Sequence, residues 1–191
     1  MKNDNLIFYW KNGKLLCYNP FSKLVTENVR NEKKAITKII TKDFIKNSTP
    51  NKGKIEFAPD FDYAAHKSEI ETAYWLIKNF GGNIYLNQED DSPGHSGKSN
   101  PDYVWNGKWW DLKEPTSKNA LDKRIQDGMH QICENKEYSV GGIIADIRQA
   151  NIESKEAIKI ISNRLERSYK EDIKVILKDG EKLIEILETK K

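Results

Sequence analysis

Asp102, Asp111 and Lys113 stand where structure alone gives them little reason to be. Asn106-Gly107 separates Asn100-Pro101-Asp102-Tyr103-Val104-Trp105 from Lys108-Trp109-Trp110-Asp111-Leu112-Lys113. Asn-Gly between runs of aromatic and β-branched residues is a strong signal for a two-residue type I′ hairpin turn, which needs φ > 0 at both central positions. Counting outward, Trp105 faces Lys108, Val104 faces Trp109, Tyr103 faces Trp110 and Asp102 faces Asp111. Opposed residues have Cβ atoms about 4.5–5.5 Å apart, and like charges there are destabilising. The two carboxylates therefore call for a cation between them. Alternation puts Lys113 on the face of Asp111 and sends Tyr103, Trp105, Trp110 and Leu112 to the other face, toward a core.

A hard divalent cation, Mg²⁺ or Mn²⁺, suits such a pair, because it takes oxygen ligands and is commonly held by one or two carboxylates plus a substrate phosphate. The ion would polarise a phosphoryl oxygen and acidify a water, while the lysine steadies the nucleophile or the developing charge. The competing reading is a solvated outer face on which Lys113 and Lys108 neutralise the aspartates.

A mixed α/β domain would position these residues. Lys54–Ala58 reads as a short strand, and a helix from about Ser68 to Phe80 is capped by Ser68 and stopped by Gly81-Gly82. Its apolar stripe is Ile70, Ala73, Leu76, Ile77 and Phe80, and Glu69 projects from the edge of that stripe. Glu69 reads either as a site carboxylate, with Glu71 as fallback, or as an acidic first-turn residue favoured by the helix dipole. Asn83–Asn87 is a strand and Gln88 to Asn100 a polar loop. After the hairpin a helix runs from about Lys118 to Glu134, in which Lys123 and Arg124 read as an exposed face or as phosphate contacts. Gly128 costs that helix about 1 kcal/mol against Ala. Val140–Ile147 is an apolar run suited to a central strand buried on both faces. A helix over Ser154–Tyr169 and a terminal hairpin turning at Asp179-Gly180 complete the core. His66, His95 and His130 read as surface or capping residues.

Ahead of this, Leu6–Trp10 and Lys14–Tyr18 flank Lys11-Asn12-Gly13 as a second hairpin, ended by Asn19-Pro20. From Glu32 to Lys46, Ala35, Ile36, Ile39, Ile40 and Phe44 recur at helical spacing among lysines. The breaker-rich stretch Asn47–Gly53 marks a boundary, giving an N-terminal hairpin and basic helix over 1–53 and a catalytic domain over 54–191.

The totals agree with an ordinary globular protein. The 191 residues carry 32 basic and 29 acidic side chains, net +3, with 37% hydrophobic residues. That suits one domain with a small addition, and it leaves room for a basic patch that would face a phosphate backbone. No apolar run is long enough to span a membrane, and the first 20 residues lack a signal-peptide pattern. The expectation is a protein that acts in the cytoplasm without a membrane partner. Cys17 and Cys133 show no metal-ligand spacing and read as free thiols.

Pro101-Asp102 followed by Asp111-Leu112-Lys113 resembles the Pro-Asp…(Asp/Glu)-x-Lys signature of the restriction-endonuclease-like, PD-(D/E)xK, nucleases. From about Ala65 to Leu187 the chain looks more specifically like the C-terminal tRNase domain of CdiA-type contact-dependent growth inhibition toxins, also found behind phage head-morphogenesis-like proteins. The features carrying this are Glu69-x-x-x-Ala73-x-x-Leu76, Gly-Lys-Ser-Asn-Pro-Asp at 97–102, Trp-Asp-Leu-Lys at 110–113, and the basic helix with Gln131. The resemblance implies a restriction-endonuclease-like mixed sheet flanked by helices. It implies Asp102 and Asp111 as metal ligands, Glu69 completing the site, and Lys113 as base or charge stabiliser. Lys123, Arg124 and Gln131 become candidates for nucleic-acid contact. The implied activity is metal-dependent hydrolysis of phosphodiester bonds, with tRNA as substrate and a cognate immunity protein as partner. A DNA endonuclease of the same fold, or a non-catalytic nucleic-acid-binding or capsid-associated module, are the alternatives.

Overall fold

The computed structural model describes residues 7–11, 14–18, 35–88, 100–134 and 136–191. The chain divides into two compact units, Met1–Lys34 and Ala35–Lys191. In the first, β1 (Ile7–Lys11) and β2 (Lys14–Tyr18) pair antiparallel, with Ile7 opposite Tyr18 and Lys11 opposite Lys14. That register leaves a two-residue connection, as the Asn-Gly signal predicts. Asn12-Gly13 and Asn19-Pro20 lie outside the described residues, as does His95.

The second unit contains, in chain order, β3 (Ile36–Ile39), α1 (Thr41–Lys46), β4 (Ile55–Phe57), α2 (Lys67–Asn79), β5 (Ile84–Leu86), β6 (Tyr103–Trp105), β7 (Lys108–Lys113), α3 (Lys118–Glu134), β8 (Ser139–Asp146), α4 (Ser154–Arg167), β9 (Ile173–Asp179) and β10 (Lys182–Lys190). Its strands form one eight-stranded mixed sheet in the order β3-β10-β9-β8-β7-β6-β5-β4. The pairs β7–β8, β8–β9 and β4–β5 are parallel and the others antiparallel.

Helices cover both faces. On one, α3 and α4 bring Leu121, Ile125, Ile132, Ala157 and Ile161 against Val104, Trp109, Ile143 and Val175. On the other, α2 brings Ala73, Trp75 and Leu76 against Tyr103, Trp105, Trp110, Leu112, Ile144 and Ile176, with Ile40 and Phe44 packed beside them. The central β8 serves both cores, since successive side chains point to opposite faces. Each fully buried aliphatic side chain adds about 1.5–3 kcal/mol, so this strand anchors the sheet. Because β7, α3 and β8 form a parallel crossover, β7 and β8 end at the same edge of the sheet, where ligands of open α/β sheets bind.

The N-terminal part of this unit departs from the sequence reading. The amphipathic helix predicted from Glu32 is instead β3 followed by the short α1; residues 32–34 lie outside the described ones. Isoleucines at i, i+3 and i+4 fit a helical stripe. Ile36-Thr37-Lys38-Ile39 is, however, mostly β-branched, a composition that favours a strand, and β10 offers it a partner. Thr37 pairs with Thr189, their hydroxyls 2.7 Å apart. The breaker-rich stretch is not a linker either. Thr49 and Asn51 donate backbone N–H bonds to Phe80 and Ile77 at the end of α2, and Gly82 donates to Lys52. The compact units divide before Ala35, ahead of the boundary that composition suggests after Gly53. The expected Ser68 cap also fails, because α2 begins at Lys67 with no side-chain cap; Asp62 Oδ1 instead accepts the N–H groups of Ala64 and Ala65 in the lead-in. The other end is as read: Gly81, at φ 74°, donates its N–H to the carbonyls of Leu76 and Ile77.

Candidate active site

The hairpin that positions the site has the register counted from its sequence. Asn106 and Gly107 take φ values of 51° and 71°, and Tyr103 faces Trp110, Val104 faces Trp109 and Trp105 faces Lys108. Asn106 also pins the neighbouring strand connection: its N–H donates to Asn83 O, and its Oδ1 accepts from Asn83 N at 2.9 Å.

One position further out, the chain bends. Asp102 precedes β6, its carbonyl accepts from Asn87 N, and its carboxylate Oδ2 accepts the Leu112 N–H at 2.6 Å. The first aspartate is thus tied to the backbone beside the second. Asp111, on β7, is fully buried. Its Oδ2 lies 2.5 Å from Lys113 Nζ, and the Lys113 side chain is only 12% exposed. Gly128 of α3 lies directly over it: a Cβ there would sit 2.9 Å from Asp111 Oδ2 and 3.1 Å from Ile143 Cδ1. The glycine that looked like a cost to the helix is what lets α3 close over a charged side chain. A solvated outer face is therefore not what these residues form.

Glu69 reaches the site from α2. The Tyr103 hydroxyl donates to the Glu69 backbone carbonyl at 3.0 Å, and Glu69 Oε1 lies 3.6 Å from His66 Nδ1. Phe61, His66, Glu69, Asn87, Pro101 and Asp102 line a shared crevice. Burial, then the charge of Asp111, and more weakly that of Glu69, raise the Asp102 pKa well above the usual carboxylate range, against the opposing pull of Lys113 and the Leu112 N–H. Burial and the same three carboxylates push the Tyr103 phenol up as well. Glu69, Asp102, Asp111 and Lys113 are thus brought into one electrostatic neighbourhood.

Its excess is negative, and its donors are oxygens, the chemistry that suits Mg²⁺ or Mn²⁺. Among the described residues no three His, Cys, Asp or Glu side chains form a ready-made cage for a metal ion. Mg²⁺ seldom needs one, since it keeps several waters and shares its shell with substrate phosphate. The residues fit that kind of ion.

The α3 candidates lie apart. Lys123 and Arg124 are exposed about one turn before Gly128. Gln131 is half-buried one turn beyond it, with its Oε1 enclosed and without a hydrogen-bond partner. Because α3 runs back along β7, Gln131 lies away from the edge occupied by Asp102 and Lys113. Exposed His130 lies 3.7 Å from Glu134 on the same helix. The half-buried Cys133 is a free thiol whose pKa burial raises to about 11; the side chain of Cys17 lies outside the described residues.

Sequence reading passed over the neighbouring strand end. Asp146, the last residue of β8, is 1% exposed and accepts bonds from Arg148, Lys178 and Gly180. Although burial pushes its pKa up, the hydrogen bonds from Arg148 and Lys178 hold it below the ordinary carboxylate value. A charged residue closing an apolar run, followed two residues later by Arg, was the visible signal.

Residues 98–182 match the family model described as the contact-dependent growth inhibition CdiA C-terminal domain. This span holds Asp102, Asp111, Lys113 and the elements from β6 to β9, and leaves out α2 with Glu69. No curated protein matches the sequence. Among solved structures, the chain is similar to one in a CdiA-CT/CdiI toxin and immunity complex from Burkholderia pseudomallei. The identity is 17% and the TM-score 0.38, over 67% of this chain and 90% of that one. Among the described residues no helix is long and apolar enough to cross a membrane.

Proposed function

We propose that this chain is a metal-dependent nuclease of the PD-(D/E)xK kind, acting as the RNA-cutting toxin domain of a contact-dependent inhibition or phage-associated system, with tRNA as its substrate. The observation that carries the reading is the buried Asp111 carboxylate, 2.5 Å from Lys113 and beside Asp102, whose pKa burial and then the Asp111 charge raise. Burying like charges side by side costs stability and gives a fold nothing in return. A module that only bound nucleic acid would have no use for carboxylates that repel phosphate. The family match over the same residues supports the toxin assignment.

Asp102 and Asp111, joined by Glu69, would hold the Mg²⁺ or Mn²⁺ ion, which when bound polarises a phosphoryl oxygen and makes a coordinated water acidic. The Leu112 N–H fixes one Asp102 oxygen, and Gly128 fixes the space available to Asp111, so both carboxylates are held in place before substrate arrives. Lys113 balances the carboxylates in the resting protein and offsets the charge that grows on the phosphoryl oxygens as the bond breaks. Lys123 and Arg124 contact phosphates further along the substrate. A toxin that cuts nucleic acid must be neutralised in the cell that makes it, so a cognate immunity protein is the protein partner this reading requires. The site of action is the cytoplasm, where tRNA is found.

The test is direct. The protein is incubated with total tRNA and with plasmid DNA, in Mg²⁺, Mn²⁺ or EDTA, beside Asp111→Asn. The expected result is metal-dependent tRNA cleavage by the parent, and a variant that melts within a few degrees of the parent but does not cut. Cleavage of plasmid alone would make this a DNA endonuclease. Full activity in EDTA or in Asp111→Asn would overturn the metal assignment.

A further inference from the structure

Resting on the nuclease reading, we propose that Arg148 is a substrate-positioning residue, a cation fixed at the rim of the site that grips a backbone phosphate next to the one attacked. Its side chain is held locally. Nε donates to Asp146 Oδ2 at 2.9 Å, Nη2 lies 2.6 Å from the same oxygen, and the Arg148 backbone N–H donates to Oδ1 at 3.1 Å.

The same carboxylate is anchored independently. Lys178 Nζ donates to Oδ2 at 2.7 Å, Gly180 N donates to Oδ1 at 3.1 Å, and the Lys178 ammonium stands 5.0 Å over the Trp75 ring. Lys178 and Gly180 already tie the β9–β10 turn to the end of β8. The Arg148–Asp146 bonds reach back only two residues, and the contact of Arg148 beyond its own strand end is the longer ion pair with Glu114. They preorganise the guanidinium, lowering the ordering cost of any contact it makes.

The place suits a phosphate. Lys113 pairs in register with Ala145, the residue before Asp146, so Arg148 follows the strand end beside Lys113. Its Nη2 lies 3.7 Å from Glu114, the residue after Lys113, and the charge of Glu71 on α2 also acts on it. Lys178 is 2% exposed and cannot meet a ligand, whereas the Arg148 side chain is 37% exposed. Glu69 and Asp111 bring negative charge to the site, and Lys113 is engaged with Asp111 at 2.5 Å. A polyanion entering there needs a fixed cation at the rim, and a planar guanidinium is the group that matches phosphate oxygens in pairs.

The experiment uses the full chain with Arg148→Ala and Arg148→Lys. Binding of total tRNA is measured against salt in an Asp111→Asn background, single-turnover cleavage in the otherwise unchanged protein, and melting temperature in all. Arg148→Ala is expected to lower the slope of log binding constant against log salt by about 0.7–0.9, the loss of one phosphate contact. Cleavage is expected to fall by about tenfold or more as the scissile bond loses its registration. Arg148→Lys should keep the salt slope and recover only part of the cleavage, because it keeps the charge and loses the fork. An unchanged slope in Arg148→Ala, with cleavage following only the change in melting temperature, would mean a structural clamp and overturn the proposal. A parent that binds tRNA without cutting, while Arg148→Ala still loses the slope, would sink the nuclease reading and leave the phosphate contact standing. A parent that neither binds nor cuts tRNA or plasmid DNA would overturn both.

Discussion

Lys113 and Asp102 both interact with the buried Asp111 carboxylate, and they lead to different expectations. A lysine that merely neutralised a surface phosphate would contribute equally to bound substrate and transition state. In the proposed mechanism, one held 2.5 Å from Asp111 in a largely buried position would act on charge that develops during the reaction. Lys113→Ala is therefore expected to reduce single-turnover cleavage by about 10²–10³-fold with a much smaller change in tRNA affinity. Weakened binding with an undiminished rate would remove it from the catalytic machinery. Asp102 concerns stability. Burial first, then Asp111 and Glu69, keep its proton on in the folded protein at pH values where the unfolded chain has released it. A raised folded pKa means the folded state binds more protons, so this contribution is full below the unfolded value of about 3.9 and is lost as pH rises through the folded value. In EDTA, Asp102→Asn should be more stable than the parent near neutrality and should flatten the loss of stability as pH rises from about 4. Chemical denaturation across that range settles it; parallel curves for the two proteins would mean that Asp102 titrates normally. Asp102 and Asp111 were legible because Asn106-Gly107 fixes the register by simple counting. The bend that turns the Asp102 carboxylate onto the Leu112 N–H was not, because it depends on Asn87, the residue after β5, donating its N–H to the Asp102 carbonyl.

At the scale of elements, the packing of α3 on β7 decides how tightly the site is held. Gly128→Ala gains about 1 kcal/mol of helix propensity and inserts a methyl 2.9 Å from Asp111 Oδ2 and 3.1 Å from Ile143 Cδ1. Overpacking of this kind costs about 1–3 kcal/mol, so the two effects largely offset and the melting temperature should fall only a little. Activity should not be spared, since a displacement of the carboxylate proposed to hold the metal by a fraction of an ångström is felt in the rate, where about 1 Å can cost 10²-fold. Cleavage and thermal melts on the same sample check this. A variant that cuts at the parent rate would show that Asp111 has room to move. Sequence periodicity found α3 and rated Gly128 a defect, because a helical wheel does not show what lies beneath the helix. The same limitation explains β3. Ile36, Ile39 and Ile40 satisfy a helical stripe as well as a strand, and only β10, at the far end of the chain, provides the partner that decides between them. Strand β8 was readable because an apolar run buried on both faces has few other places to go.

Across the whole molecule, the question is which residues the catalytic unit needs. The breaker-rich stretch at 47–53 suggests a boundary, yet what precedes it is built into the sheet. β3 extends the sheet beyond β10, Thr37 N–H donates to Glu166 of α4 at 2.9 Å, and the Thr41 hydroxyl accepts from Ile186 N at 2.8 Å. Phe44 stands edge-on to Phe80 with ring centroids 5.3 Å apart and lies 6.2 Å from Trp105, the residue before the Asn106-Gly107 turn. A chain beginning at Lys54 would leave β10 as a bare edge and uncover Phe80 and Trp105 on the side of the sheet that α2 and Tyr103 share with Glu69. Losing a packed phenylalanine costs up to about 3–5 kcal/mol, and the unpaired edge adds a surface prone to association. At about 2–4 °C per kcal/mol for a domain of this size, a loss of about 3–5 kcal/mol should make residues 54–191 melt about 6–20 °C below the parent or fail to fold. Residues 35–191 should give a single cooperative transition and cut tRNA at the parent rate, because every group assigned to the site lies within that compact unit. The comparison needs only the two truncations, a melting curve and a cleavage gel. Equal stability for both would put the boundary after Gly53, as sequence composition suggests, and an unfolded 35–191 would make the first 34 residues part of the catalytic fold.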